Sequence, residues 1–324
     1  MKAMLCTHYG APEVLQLQEL TTHTPKPNEL LIKLHNTTVT SGDCRVRGLN
    51  VPRGFKPIMR LALGFNGPRQ PILGSELAGM VEAIGAQVTQ FKVGDAVFAF
   101  TDAKMGCYAE YICLPETAVV LPKPANLSFA EAAALSFGGS TALHFLTKAK
   151  LQRGDQVLIN GASGCVGSAA VQLAKQLGAH VTAVCSTANV PMMQALGADQ
   201  VIDYTQTDFT QQSQTYDFIL DTTGKVTYAN CKAVLKPKGR LALIAADLPE
   251  MLKSFWFNLS SKHQVLAGPA FGNLDALKEL ADLASQGQYH PVIDQSFPFT
   301  QLVEAHRYVD AGHKKGNVVI EFGI

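Results

Sequence analysis

The chain has 324 residues, 47% of them hydrophobic and 16% charged, which is enough for two domains with ample core. Its 27 basic and 26 acidic side chains nearly cancel, so bulk charge gives no sign of a nucleic-acid stripe or a membrane-surface partner. No apolar run approaches the ~20 residues that cross a bilayer.

Taken in order, residues 1 to about 122 are predicted to be strand-rich, with strands over 2–7, 15–20 and 29–40. The opening segment, Met1-Lys-Ala-Met-Leu-Cys6, reads as strand and lacks a signal-peptide apolar core. Thr40-Ser-Gly-Asp-Cys-Arg-Val-Arg-Gly48 reads as a short helix or turn, in which Asp43 and Arg47 are spaced to pair across one helical turn. Segment 51–69 mixes Pro and Gly with Phe55, Ile58, Met59, Leu61, Leu63 and Phe65, edged by Arg53, Lys56, Arg60 and Arg69. It reads either as a lid over a site or as a surface excursion packed on its own domain. Alternating apolar runs over 72–85, 91–100 and 106–114, broken by Gly and Gly-Asp turns, predict a compact barrel-like β domain. Leu121-Pro-Lys-Pro-Ala125 is the expected linker. Ser128-Phe-Ala-Glu131 is a capping box opening a helix, which Gly138 and Gly139 are expected to interrupt.

The most informative stretch is 157–204. A short apolar run ends at Gly161-Ala-Ser-Gly-Cys-Val-Gly167, a long Ala/Leu/Val helical run follows, and 180–185 reads as a second strand. The turn carries Ala162-x-Gly164-x-x-Gly167, a dinucleotide fingerprint with alanine in place of its first glycine. Gly164 would let the backbone approach a pyrophosphate and Gly167 would let helix and strand pack closely, while the helix N-terminus offers free N–H groups to phosphate. The acidic residue expected about 20 residues on for NAD is missing. Ser186, Thr187 and Asn189 stand there instead, with Tyr204 at the end of the next predicted strand. Hydroxyls and amides accept a 2′-phosphate that a carboxylate would repel, which favours NADPH. The same three residues also read as an N-cap cluster for a helix over 190–196. Further apolar runs at 201–204, 216–221, 239–245 and 263–268, with helical segments between, complete a doubly wound parallel sheet. A helix over 274–285 closes it, and the tail, helix 300–311 and strand 317–322, is expected to return to the first domain.

Seven cysteines, none in C-x-x-C, suggest reduced thiols and a cytoplasmic location. Gly74-Ser-Glu-Leu-Ala-Gly79, Val93-Gly-Asp-Ala-Val97, Gly106-Cys-Tyr-Ala-Glu-Tyr111, Ala162-Ser-Gly-Cys-Val-Gly167, Leu196-Gly-Ala-Asp-Gln-Val-Ile-Asp-Tyr204 and Gly316-Asn-Val-Val319 occur in one order along nearly the whole chain. In this the sequence resembles the zinc-free quinone oxidoreductase branch of the medium-chain dehydrogenase/reductase superfamily. The resemblance implies an α/β protein: a GroES-like, β-barrel-type catalytic domain over 1–122 and 290–324, and a Rossmann domain over 123–289. It further implies NADPH, reduction of quinones or α,β-unsaturated carbonyls, and a homodimer through the Rossmann edge strand. Zinc relatives have Gly-His-Glu where this chain has Gly74-Ser75-Glu76, and their first cysteine ligand falls near Thr40, so no metal is expected.

By resemblance, Ser163, Gly164, Cys165 and Val166 hold the pyrophosphate, and Ser186, Asn189 and Tyr204 face the adenosine phosphate. Thr141 and Thr222 lie near the cofactor, Ala245, Ala267 and Phe271 floor the nicotinamide pocket, and Asn317 makes a further contact. Tyr108, Thr40 and Arg45 are candidates to touch a substrate carbonyl, although Tyr108 has the plainer reading of a barrel-core aromatic. An enoyl-thioester reductase, with 51–69 as acyl-binding wall, and a non-catalytic NADPH-binding sensor are the alternatives.

Overall fold

The computed structural model describes residues 1–260, 262–270 and 272–323. Two compact units divide it: Met1–Val51, Lys56–Phe137 and Gly272–Ile324 form the first, Pro52–Phe55 and Gly138–Phe271 the second.

In the first unit, β1 (Lys2–Cys6) and β2 (Leu15–Glu19) pair antiparallel. A larger sheet contains β3 (Glu29–Thr38), β4 (Glu76–Ile84), β5 (Ala96–Phe100), β6 (Tyr111–Pro115) and β7 (Val120–Pro122), with β3 pairing both β4 and β6. Three helices accompany them: α1 (Ser41–Gly48), α2 (Lys56–Leu63) and α3 (Phe129–Ala133). The expected linker begins inside this sheet, because Val97 pairs with Pro122 and Phe98 with Leu121.

A helix α4 (Ser136–Lys148) then runs unbroken through Gly138 and Gly139, contrary to the expected interruption. Gly138 serves close packing instead. A Cβ at Gly138 would lie 2.7 Å from the carbonyl oxygen of Cys165. The break falls earlier, at Ala134, where α3 ends.

The second unit holds one all-parallel sheet: β8 (Gln156–Asn160), β9 (His180–Cys185), β10 (Gln200–Asp203), β11 (Tyr216–Asp221), β12 (Leu235–Leu243) and β13 (Gln264–Ala267). Its spatial order is β10-β9-β8-β11-β12-β13. Chain direction around the sheet therefore reverses between β8 and β11, which makes their carboxyl ends the switch point where such sheets bind ligands. Helices α5 (Cys165–Gln176), α6 (Val190–Ala195), α7 (Tyr228–Cys231) and α8 (Leu248–Ser260) connect the strands. The apolar strand runs are continuous rather than alternating because both faces of a covered parallel sheet are buried; Val157, Leu158 and Ile159 are all 0% exposed.

The chain then passes through α9 (Leu274–Ser285), β14 (Ile293–Pro298), α10 (Leu302–Asp310) and β15 (Asn317–Glu321). As expected for the tail, β15 returns to β3 in the first unit, pairing Val319 with Thr38. The units divide at 137/138 and 271/272, later and earlier than the sequence boundaries of 122/123 and 289/290. Two bonds show why. Asn126 donates to the carbonyl of Ala284 at the end of α9, and the Phe137 N–H donates to the Glu76 carboxylate.

The proposed Asp43–Arg47 pair does not form. Asp43 instead completes a capping box with Thr40 at the start of α1, and Arg47, 1% exposed, reaches Asp310 on α10 at 2.6 Å. Helix capping and a longer-range ion pair outcompete the exposed i,i+4 geometry, which is worth only ~0.3–0.5 kcal/mol.

Candidate active site

The turn between β8 and α5 is built from three glycines with different duties. Gly161 has φ +77, and a Cβ there would meet Thr222 Oγ1 at 2.4 Å. The left-handed turn thus falls one residue before Ala162, the position at which the fingerprint lacked its glycine. Ala162 itself is fully buried and its N–H donates to Val184 at 3.0 Å, tying the turn to β9. At Gly167 a Cβ would fall 2.3 Å from the Gly161 oxygen. No side chain fits there without moving backbone.

Gly164 differs. It is the N-cap of α5 with φ −76, and the nearest atom to a Cβ there is 3.7 Å away. Sterics of the protein alone do not require glycine at this position. The space beside it is open to a group approaching from outside. The N–H groups of Cys165, Val166 and Gly167 begin α5 with no side-chain cap, so they and the positive end of the helix dipole face that space. Ser163 sits half-buried beside them. The donor set suits a diphosphate, and the dinucleotide fits the turn.

The neighbouring strand completes this corner. The Thr222 hydroxyl lies 3.0 Å from the Asn160 oxygen and 3.2 Å from the Gly161 oxygen, bracing the turn. Asn160, 8% exposed, donates to Asp221 at 2.8 Å, while Asp221 also accepts from Thr223 and Gly224. Sequence reading missed Asn160 and Asp221 as organisers of the switch point; a polar residue ending each of two apolar runs was the available signal. Register places Asp221, Leu243 and Ala267 side by side at the carboxyl ends of β11, β12 and β13. Thr222, Ala245 and Ala267 therefore share one edge of the sheet. Thr141 lies on α4 three residues after Gly138, on the face that meets Cys165. Phe271 lies outside the described residues.

At the ends of β9 and β10, Asn189 donates to the Ser186 hydroxyl at 3.1 Å, and Tyr204 is 58% exposed. The N-cap reading fails here: Asn189 precedes α6 but makes no side-chain cap bond, because its amide turns to Ser186. Cys185 pairs with Asp203, which brings an acid to this corner through sheet register. Its two oxygens take bonds from Thr187, Thr205 and Gln206, and those bonds, Thr187 foremost, hold its carboxyl below the usual range.

The first unit gathers a separate buried polar cluster. Gly74, with φ +84, lets the Tyr108 ring lie where a Cβ would be only 2.5 Å away. Tyr108 is fully buried in the core, its phenol turned towards Asp43 but without a partner at hydrogen-bonding geometry. Thr40 is spent on Asp43: its N–H and hydroxyl both contact Oδ2, at 2.8 and 2.7 Å. Ser75 accepts through its carbonyl from Thr101. The Glu76 carboxylate accepts from the Thr38 hydroxyl at 2.5 Å and from the Phe137 N–H. Cys44 Sγ and His306 Nδ1 lie 3.2 Å apart, both buried. Of the three carbonyl-contact candidates, Arg45 alone keeps partial exposure, and among the described residues it has no ion-pair partner. Asn317 is 5% exposed and its amide donates to Val292, within the first unit. Among the described residues no three His, Cys, Asp or Glu side chains converge as a metal site.

Burial raises Glu76 to about 7 and Asp43 to about 6, by stripping water from the charged forms. Between the unfolded and folded values such a carboxyl binds more protons when folded, so stability falls as pH rises from about 4 to about 7. His306, lowered to about 3 by burial, acts in the opposite sense below its ordinary 6.5. Glu76→Gln removes only the Glu76 share. The melting temperature of E76Q relative to the unsubstituted protein is expected to climb from pH ~4.5 to ~7 and then level off. A pH-independent difference would contradict a raised Glu76.

The two glycine duties separate by substitution. Gly164→Ala should leave stability within ~1 kcal/mol yet weaken dinucleotide binding at least ~10-fold. Gly167→Ala should cost roughly 2–3 kcal/mol, seen in urea unfolding. Equal effects from both would show that Gly164 faces no ligand.

Comparison with known proteins agrees with this geometry. Residues 26–125 match the alcohol dehydrogenase GroES-like domain, and residues 196–320 match the zinc-binding dehydrogenase family. The chain is 32% identical to 2-methylene-furan-3-one reductase of Solanum lycopersicum, over 99% of this chain and 79% of the relative. It is 30% identical to a chloroplastic NADPH-dependent alkenal/one oxidoreductase of Arabidopsis thaliana, over 99% and 79%. The solved quinone oxidoreductase of Coxiella burnetii superposes with a TM-score of 0.87 at 29% identity, covering 99% of each chain. With its GroES-like unit, its 3-2-1-4-5-6 sheet and its glycine turn, the chain belongs to the quinone oxidoreductase branch of the medium-chain dehydrogenase/reductase superfamily.

Proposed function

We propose that the protein is an NADPH-dependent reductase of quinones and α,β-unsaturated carbonyls. The observation that carries this reading is Gly164, a glycine that the packing does not require, at the head of α5 and at the switch point of the sheet. NADPH, when bound, supplies a hydride. The N–H groups of Cys165, Val166 and Gly167 would take the pyrophosphate. Thr222 and Asn160 hold the turn in shape. Ser186, Asn189 and Tyr204 offer a hydroxyl, an amide and a phenol to the 2′-phosphate. Asp203 opposes that phosphate by charge, but its oxygens are already engaged by Thr187, Thr205 and Gln206.

A conjugated acceptor needs little polarisation, so orientation and water exclusion are the protein's main contributions. Thr40 is bonded to Asp43 and Tyr108 is fully buried, which leaves Arg45 as the candidate to meet a carbonyl oxygen. We further assign the protein to the cytoplasm, in keeping with its free cysteines, and to a homodimer in which β13, the edge of the parallel sheet, pairs with its copy.

The test follows absorbance at 340 nm with NADPH or NADH against an ortho-quinone, an alkenal and a crotonyl-thioester, with and without added zinc. Turnover of quinone or alkenal with NADPH at least ~10-fold better than NADH, unchanged by zinc, is the expected result. Dominant use of NADH would sink the Ser186 argument. Turnover of the thioester alone would make the protein an enoyl-thioester reductase. Tight NADPH binding without turnover would make it a sensor.

A further inference from the structure

We propose that α2 is a peripheral docking helix for an anionic membrane surface. The helix has no buried residue along its eight positions. Ile58, Leu61 and Ala62, spaced i, i+3, i+4, form an outward stripe, and Phe65 continues it two residues past the helix end. Ile58, Leu61 and Phe65 are 51, 64 and 65% exposed. Met59 and Leu63 occupy the half-buried inner edge. The segment is held as a unit rather than loose: the Tyr9 phenol donates to Gly64 at 2.8 Å, and a Cβ at Gly67 would lie 2.2 Å from the Thr7 oxygen.

Charge decides what covers this stripe. Lys56, Arg60 and Arg69 are all exposed, and none of them is in an ion pair among the described residues. No Asp or Glu occurs between Asp43 and Glu76. The near-zero total charge conceals this local run of cations. A second copy of the same face would set like charges against each other. A small molecule would need a concave site that buries most of its surface, whereas this stripe crowns a convex helix. An apolar stripe on a helix whose exposed polar positions carry only cations matches the boundary between anionic headgroups and acyl chains. The docking stands without the functional reading; only its use, to meet quinones dissolved in the bilayer, rests on that reading.

The experiment is co-sedimentation of the full chain with vesicles of phosphatidylcholine alone or with roughly 30% phosphatidylserine. Binding should be at least ~10-fold stronger to the anionic vesicles and should fall by a similar factor between ~0.1 and ~0.5 M salt. Leu61→Asp should lose at least ~10-fold, as should the combined Lys56→Gln, Arg60→Gln and Arg69→Gln variant. Both changes lie on an exposed face, and an unchanged far-UV circular dichroism spectrum and melting temperature confirm that each variant is folded. Equal binding to both vesicle types, binding retained by either variant, or binding to neither vesicle overturns the proposal. The last outcome would leave the face to an acidic protein partner. Quinone turnover is not needed for the readout, so failure of docking and failure of the reductase reading are seen separately.

Discussion

Between β8 and α5 the backbone passes so close to itself that a single methyl group at Gly167 would sit 2.3 Å from the Gly161 carbonyl. The rest of the second unit depends on that approach. It lets α5 lie on the sheet with nearly its whole length buried, and it brings Ala162 within hydrogen-bonding reach of β9. It also aims the unsatisfied N–H groups of the helix end into the space above Gly164. Packing and binding thus share one piece of backbone. The sheet order places that backbone beside Asn160, Asp221 and Thr222, whose side chains bond to one another and to the turn before any ligand arrives. Pre-formed polar contacts of this kind lower the ordering cost of binding.

The first unit works from a different constraint. Two carboxyls, Asp43 and Glu76, are buried in the same polar cluster, where burial makes both harder to ionise and the Asp43 charge adds to the effect on Glu76. Their bonds are structural: Asp43 closes the start of α1, and Glu76 joins β3 to the first turn of α4. Ser75 lies between a positive-φ glycine and Glu76. Here its backbone serves the sheet through Thr101. The buried polar cluster is used to fix elements, while Arg45 on α1 stays half-buried.

Much of this was legible in the sequence because it follows from period and punctuation. The strand–turn–helix–strand around Gly161 and the capping box at Ser128 carry their own geometry, and the return of the tail as β15 follows from its strand pattern. What was not legible depends on contacts between distant residues. Gly138 and Gly139 look like a break in a helix, yet Cys165, far along the chain, explains Gly138 as a packing contact. Arg47 and Asp43 have the right spacing to pair, but Asp310 and the Thr40 cap claim them first. Asp203 escaped notice because β10 returns it to Cys185 only through sheet register. The exposed face of α2 was hidden by an average: a net charge near zero says nothing of where the charges lie.

The account's central claim is that the N–H groups heading α5 hold a dinucleotide diphosphate. The most direct measurement is site-resolved hydrogen exchange of the amides of residues 165–167, in the intact protein with and without NADPH at saturation. The account predicts that exchange at these amides slows at least ~10-fold on binding, while amides on the outer strands of the first unit stay unchanged. NADPH that binds tightly yet leaves all three amides exchanging at their free rate would contradict it.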